Sequence, residues 1–175
     1  MRISGFQATA TAIQNPFTFY YVNKNDWSSS HSYQFWNKNF TSDPGITNAA
    51  ITKTIYSPSP SGFVEPKTAA FTGFTSTGGY SKTSSQFNVS GAWTDGWLYY
   101  SNGWKSGETL FFNALAFRDS PGSIELASFG PDGNYWTAGA SSTSQGYFFV
   151  FGLTIIDPQS TYYRSAAFNC RPVKE

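Results

Sequence analysis

Apolar residues in this chain fall in short bursts parted by Gly, Asn, Pro and Ser, a rhythm of strands and turns rather than of long helices. The densest burst, "GYFFVFGLTII" at 146–156, reads as a strand with Tyr147, Phe149 and Phe151 on one face and Phe148 and Val150 on the other. Both faces are apolar. Such a strand is either buried between two layers or offers one side to a partner. "GWLYYSNGW", "ETLFFNALAFR", "GSIELASFGPDGNYWTAG" and "SAAFNCRPV" predict further short strands. Near the start, "QATATAIQ" and "FTFYYV" predict two strands around Asn15-Pro16, and "ITKTIY" at 51–56 predicts another. Residues 23–50 have no clean period and predict a long loop pinned by Trp27, Tyr33, Phe35 and Trp36.

One stretch, "EPKTAAFTGF" at 65–74, predicts a short helix. Pro66 suits the first helical position, Glu65 suits the positive end of the helix dipole, and Gly73 can end it. The expected architecture is a single α+β domain over 1–175, with small helix content, a mostly antiparallel sheet and long loops in the C-terminal half.

Composition sharpens this picture in one respect. The 175 residues include 17 Phe, 11 Tyr and 6 Trp, and most of these are expected in a sheet-rich core. Low charge with many aromatics and short polar residues also matches the make-up of recognition surfaces. Eleven Lys and Arg against ten Asp and Glu supply no electrostatic footprint for nucleic acid. No apolar run is long enough to insert across a bilayer as a helix, and the N-terminus has no secretory h-region. An exported protein of this sequence would carry its signal outside the chain, with Met1 as a fragment start. Cys170 is the one cysteine, so no intramolecular disulfide forms.

Catalytic parts are few. His31 is the one histidine and sits in "SSSHSY", a solvated loop context. Cys170 alternates with Phe168 in a predicted strand and reads as a small buried hydrophobe. Asp95 and Asp132 each precede Gly, which is a turn signature before it is an acid–base signature. Asp132, Asn134 and Asp157 supply oxygen atoms for calcium but not at the spacing of a dedicated calcium loop. No phosphate-cradling glycine loop is present. These absences point to a binding module rather than an enzyme, with no cofactor and no metal expected.

Several segments occur in an order that resembles a known family. "IQNPFTFYY", "IYSPSPSGFVEPKTAAFTGFTSTGG", "FNVSGAWTDGWLYYSNGW", "LFFNALAFRDSPGSIELASFGPDGNYWTAG" and "YYRSAAFNCRPVKE" resemble the C-terminal domain of Bacteroidales fimbrial tip and surface proteins. That domain is related to the Fibrobacter succinogenes major paralogous domain and, in fold, to C-type lectin-like domains. Some relatives are variable proteins of diversity-generating retroelements. The resemblance implies a C-type lectin-like scaffold, displayed extracellularly on a cell surface, with a variable-looking region over about 134–166. Relatives often carry Cys where this chain has Ser59 and Pro172, and both are absent here. The sugar-binding motifs of calcium-dependent lectins are also absent, Glu65-Pro66-Lys67 being a near miss.

On the family register Phe149 and Phe151 face the core, while Phe148, Val150 and Gly152 face a displayed side that continues through Thr154, Ile155, Thr161, Tyr162, Tyr163, Ser165 and Ala166. The implied partner is a host, microbial or phage-receptor surface protein or glycan, with pilin or tail-fibre domains upstream. Arg164 and Arg171 are expected as framework residues bonded to carbonyl groups, and Trp136 as core. Two other readings compete. Trp27, Trp36, Trp97 or Trp104 would form a stacking platform in a carbohydrate-binding domain of a secreted glycan-utilisation system, or paired carboxylates in a cleft would mark a hydrolase.

Overall fold

The computed structural model describes residues 11, 14, 15, 32–115, 117, 118, 126, 127 and 131–175. Within them ten strands follow one another: β1 (Phe63–Val64), β2 (Val89–Ser90), β3 (Gly96–Tyr100), β4 (Thr109–Asn113), β5 (Phe117–Arg118), β6 (Leu126–Ala127), β7 (Asp132–Ala140), β8 (Gln145–Gly152), β9 (Ile156–Tyr163) and β10 (Val173–Lys174). They pair antiparallel as β1–β10, β2–β3–β4, β5–β6 and β7–β8–β9. The two three-stranded sheets hold the main core between them. Trp97, Tyr99 and Phe112 come from one sheet, and Tyr135, Phe149, Phe151 and Ile156 from the other. Phe71, Phe74 and Phe87 complete that core from the connecting chain. Phe74 stacks on Tyr99 with ring centroids 4.1 Å apart, and Phe71 stacks on Phe149 at 4.7 Å. Such aromatic pairs add about 0.5–1.5 kcal/mol each beyond the area they bury. The Trp97 indole Nε1 donates to the Gly152 carbonyl at 3.0 Å, which ties the two sheets together.

The opposite face of β8 is buried as well. Phe148 packs with Trp136, Ala166 and Phe168 in a second cluster, against which Trp36, Phe117, Val150 and Tyr162 lean. Strand β8 is therefore the shared wall of two cores, and its apolar residues on both faces have that cause. Phe149 and Phe151 are 0% exposed, as the alternation of the segment predicts.

The expected α+β class, with its C-type lectin-like fold and small helix content, is corrected to a nearly all-β arrangement. Helical elements amount to two 3-10 turns, Thr72–Phe74 and Ser84–Gln86, and Thr11 and Gln14 are the α-helical residues described. In the segment expected to form the helix, tertiary bonds claim the local signals. Glu65 is fully buried, and its Oε1 accepts from Ser57 Oγ at 2.8 Å and Ser59 Oγ at 3.0 Å rather than facing a helix terminus. The Pro66 carbonyl accepts from the Ala138 amide of β7 at 2.8 Å. A helix this short is marginal by itself, so these contacts decide the backbone.

Three further expectations change. "ITKTIY" makes only the single bridge Asn37–Lys53, because the Asn37 side chain takes the Thr52 amide at 2.9 Å. "SAAFNCRPV" is held by isolated bridges at Ala167 and Asn169, and only its last residue, Val173, enters a strand, β10. Strand β9 was not expected: it is an edge strand that runs through Asp157-Pro158, its register shifts opposite Phe149, and a proline fits where no ladder N–H is needed. Of the two strands expected before residue 23, the first contains Thr11 and Gln14, which are α-helical rather than extended, and the rest of both strands, together with Trp27 and His31, lies outside the described residues.

Candidate ligand-binding cleft

Residues 32–50 form turns and bends, as expected of a pinned loop, and specific bonds hold the segment in place. Asn37, fully buried, also accepts the Asn39 amide at 3.1 Å through its side chain. Thr54 Oγ1 donates to the Phe35 carbonyl, and Phe35 stacks on Tyr56 with centroids 4.8 Å apart. Thr68 Oγ1 donates to the Gly45 carbonyl at 2.8 Å and accepts the Thr47 amide at 2.8 Å. The Tyr147 hydroxyl donates to Asp43 Oδ1 at 3.1 Å. Burial, that bond and the Asp43 charge together hold the Tyr147 phenol above its ordinary range. Arg164 spans the largest gap, donating from Nη1 to the Ser32 carbonyl at 2.6 Å and from Nη2 to the Thr143 carbonyl at 2.7 Å. Arg171 Nη1 donates to the Phe111 carbonyl at 2.5 Å. Both arginines have the framework role expected of them.

Between this loop and the outer side of β7 lies a cleft of about 320 Å³. Tyr33, Phe35, Trp36 and Tyr56 line it from the loop, with Pro58 beside them. Trp136 and Phe168 line it from the other side, where the intervening positions are small: Ala138, Gly139, Ala140, Gly146, Ala166 and Ala167. The small residues keep the space open. Gly139 permits a close approach, since a Cβ there would lie 2.3 Å from Thr68 Cγ2. Trp36 and Trp136 meet edge to face at 6.2 Å, an arrangement favoured by their ring quadrupoles. Cys170 also borders the cleft. It is an exposed residue rather than the buried strand residue expected, yet desolvation of its thiol, helped by the nearby Glu65 carboxylate, pushes the thiol up to about 12.

The displayed face expected along β8 does not form. Phe148 is 6% exposed, and Gly152, Ser165 and Ala166 are buried. Val150, Ile155, Tyr162 and Tyr163 are half-buried, and Tyr162 rests on Phe168 with centroids 5.4 Å apart. Thr154 and Thr161 are the exposed members of the set. The physical reason is the second core: Phe148 faces Trp136 and Phe168, and withdrawing it would empty that cluster. Gly152 is also a poor site for variation, because a Cβ there would stand 2.7 Å from Asp132 Oδ1 and 2.9 Å from the Pro131 carbonyl. Of the expected face, Ala166 reaches the cleft, and Arg164 beside it lines the cleft too.

The remaining candidates separate. Trp97 is buried in the main core, where it cannot join a stacking platform, while Trp104 is 44% exposed and Trp36 is half-buried. Asp95 has φ 55° in a turn, in keeping with the Asp-Gly signature. Asp157 Oδ1 accepts the Gln159 amide at 3.1 Å. Among the described residues no group of three His, Cys, Asp or Glu side chains is placed to hold a metal ion. Tyr56, Pro58 and the small residues of β7 were not singled out by sequence. The signal available was "YWTAGA", where bulky aromatics give way abruptly to residues too small to fill a core. Comparison of the chain with protein-family models, with curated proteins and with solved structures finds no match in any of the three.

Proposed function

We propose that this chain is a non-catalytic binding module, an adhesin or receptor-binding domain working outside the cell, and that it engages its ligand at the cleft between the 32–58 loop and β7. One observation carries the reading. A chain with this many aromatics has ample bulk to close a gap, yet aromatic walls here face a run of Ala and Gly, leaving about 320 Å³ open. Protein interiors are packed to crystal-like density, and pockets of this size lined by aromatics are where small ligands and protruding side chains bind. The rigid bonding of the loop supports it further, because a preformed wall reduces the ordering cost of association. The resemblance to fimbrial tip and surface domains supports the same class of function, with a host, microbial or phage-receptor surface molecule as partner.

The test is a protein- and glycan-array screen with the intact chain, repeated with Tyr56→Ala at the cleft and Leu153→Ser at an exposed site away from it. The proposal expects a specific signal that Tyr56→Ala weakens and Leu153→Ser leaves unchanged. A signal indifferent to Tyr56→Ala but lost with Leu153→Ser would move the contact surface away from the cleft.

A further inference from the structure

Resting on that reading, we infer the chemical class the cleft accepts: an uncharged, apolar group of about two fused rings, and not a sugar. The inference starts from the inventory of polar atoms. Among the described residues the lining contains no carboxylate and no carboxamide, the groups that ordinarily satisfy the hydroxyls of a bound saccharide. Its polar side-chain atoms are those of Thr137 and Arg164, which are committed to the fold, with the Tyr33 and Tyr56 hydroxyls, the Trp36 and Trp136 indole N–H groups and the Cys170 thiol beside them. The Thr137 hydroxyl donates to the Tyr147 carbonyl at 2.9 Å, and the two terminal nitrogens of Arg164 are engaged by Ser32 and Thr143. A sugar entering this space would trade water for few partners, and each buried hydroxyl left unpaired costs about 1–3 kcal/mol. Arg164 also sets a positive charge at the wall, which disfavours a cationic ligand despite the aromatic surroundings.

Size and shape narrow the class further. An apolar cavity of about 150 Å³ holds benzene. The space here, about 320 Å³, is roughly twice that and matches a bicyclic group. The perpendicular setting of Trp36 against Trp136, 73° between planes, offers one ring face and one ring edge. A flat ligand can stack on the first and meet the second edge-on.

Two probes of similar ring count but opposite polarity, indole and cellobiose, test this on the intact chain by ¹H–¹⁵N NMR of the tryptophan Nε1–H signals. Indole is expected to shift the Trp36 and Trp136 signals saturably while cellobiose leaves them in place. Ala167→Leu, which fills the cleft from a half-buried position, should weaken indole at least tenfold. Should that variant fail to fold, Tyr56→Ala, which removes a partly exposed wall, should weaken it several-fold. Saturable cellobiose binding without indole binding overturns the ligand class while leaving the binding-module reading intact. Indole binding that survives both variants places the apolar site elsewhere and overturns the inference. If neither probe binds, the inference is wrong, and the array screen separately decides whether the module reading stands.

Discussion

Trp36 of the loop stands edge-on to Trp136 of β7, ring centroids 6.2 Å apart, and this contact joins the loop to the second core that backs strand β8. The same contact forms one end of the cleft, so binding and stability share residues there. Variants nearby therefore have to be read for folding and for ligand together.

Phe148→Ala should be severely destabilising. The ring packs on Phe168 at 4.6 Å and on Trp136 at 5.9 Å, and loss of a buried Phe typically costs about 3–5 kcal/mol. Urea denaturation checks it. A change below about 1 kcal/mol would mean that the ring is on a free surface after all.

Arg164→Lys should behave nearly as poorly as Arg164→Ala. One ammonium cannot reach both the Ser32 and Thr143 carbonyls in the forked geometry of a guanidinium. Each variant is expected to lose about 2 kcal/mol, on the scale of hydrogen bonds from charged groups. Proteolysis in the 32–58 loop should accelerate in both.

Tyr99→Phe should stabilise the protein by about 1 kcal/mol near neutral pH, since the buried hydroxyl has no hydrogen-bond partner among the described residues. Burial, with Tyr135 nearby, holds the Tyr99 phenol well above its usual 10.0. The folded form therefore resists ionisation that the unfolded chain accepts. Its contribution is fully present below about pH 10 and is lost as pH rises beyond it. Denaturation curves at pH 7 and pH 11 should show a smaller alkaline loss for Tyr99→Phe than for the wild type.

Cys170 should react slowly despite its exposure. With the thiol pushed from 9.0 to about 12, the thiolate population at pH 8 falls by about a thousandfold relative to the unfolded chain. Its linkage has the same sign as that of Tyr99: stability present below about pH 9 is lost as pH climbs toward 12. Alkylation by iodoacetamide in native buffer and in denaturant measures the difference, and equal rates would refute it.

Asp132→Asn should stabilise the fold at pH 7 and make no difference in acid. Desolvation raises this carboxyl above 3.8, so the folded state favours the protonated form. The stability it contributes is complete below the unfolded value and declines as pH rises through the folded one. Thermal midpoints of the two proteins should converge at about pH 3.

Much of the strand content was legible because it rests on local physics. Alternation of Phe149 and Phe151 against Phe148 and Val150 is imposed by the pleat, and Asp95-Gly96 marks a turn in which Asp95 takes the left-handed region at φ 55°. The helix at 65–74 was misread and strand β9 was missed for a common reason. Each local signal was outweighed by a partner distant in sequence: Ala138 for Pro66, the Ser57 and Ser59 hydroxyls for Glu65, and β8 for the residues flanking Pro158.

What the amino-acid order determined alone was the two-sided apolar character of 146–156, the framework role of Arg164 and Arg171 and the aromatic pinning of the loop, since all of these follow from side-chain chemistry and strand period. Which layer covers each face of that strand was a matter of tertiary structure. Phe148 and Phe149 have the same side chain and adjacent positions, and only the packing of Trp136 and Phe168 on one side and of Phe71 and Phe74 on the other assigns them to separate cores. The cleft belongs to the same level. It exists because a bonded loop and a run of small residues on β7 fail to fill the space between them, and the small residues of "YWTAGA" mark only one of its two walls, not which segment stands opposite.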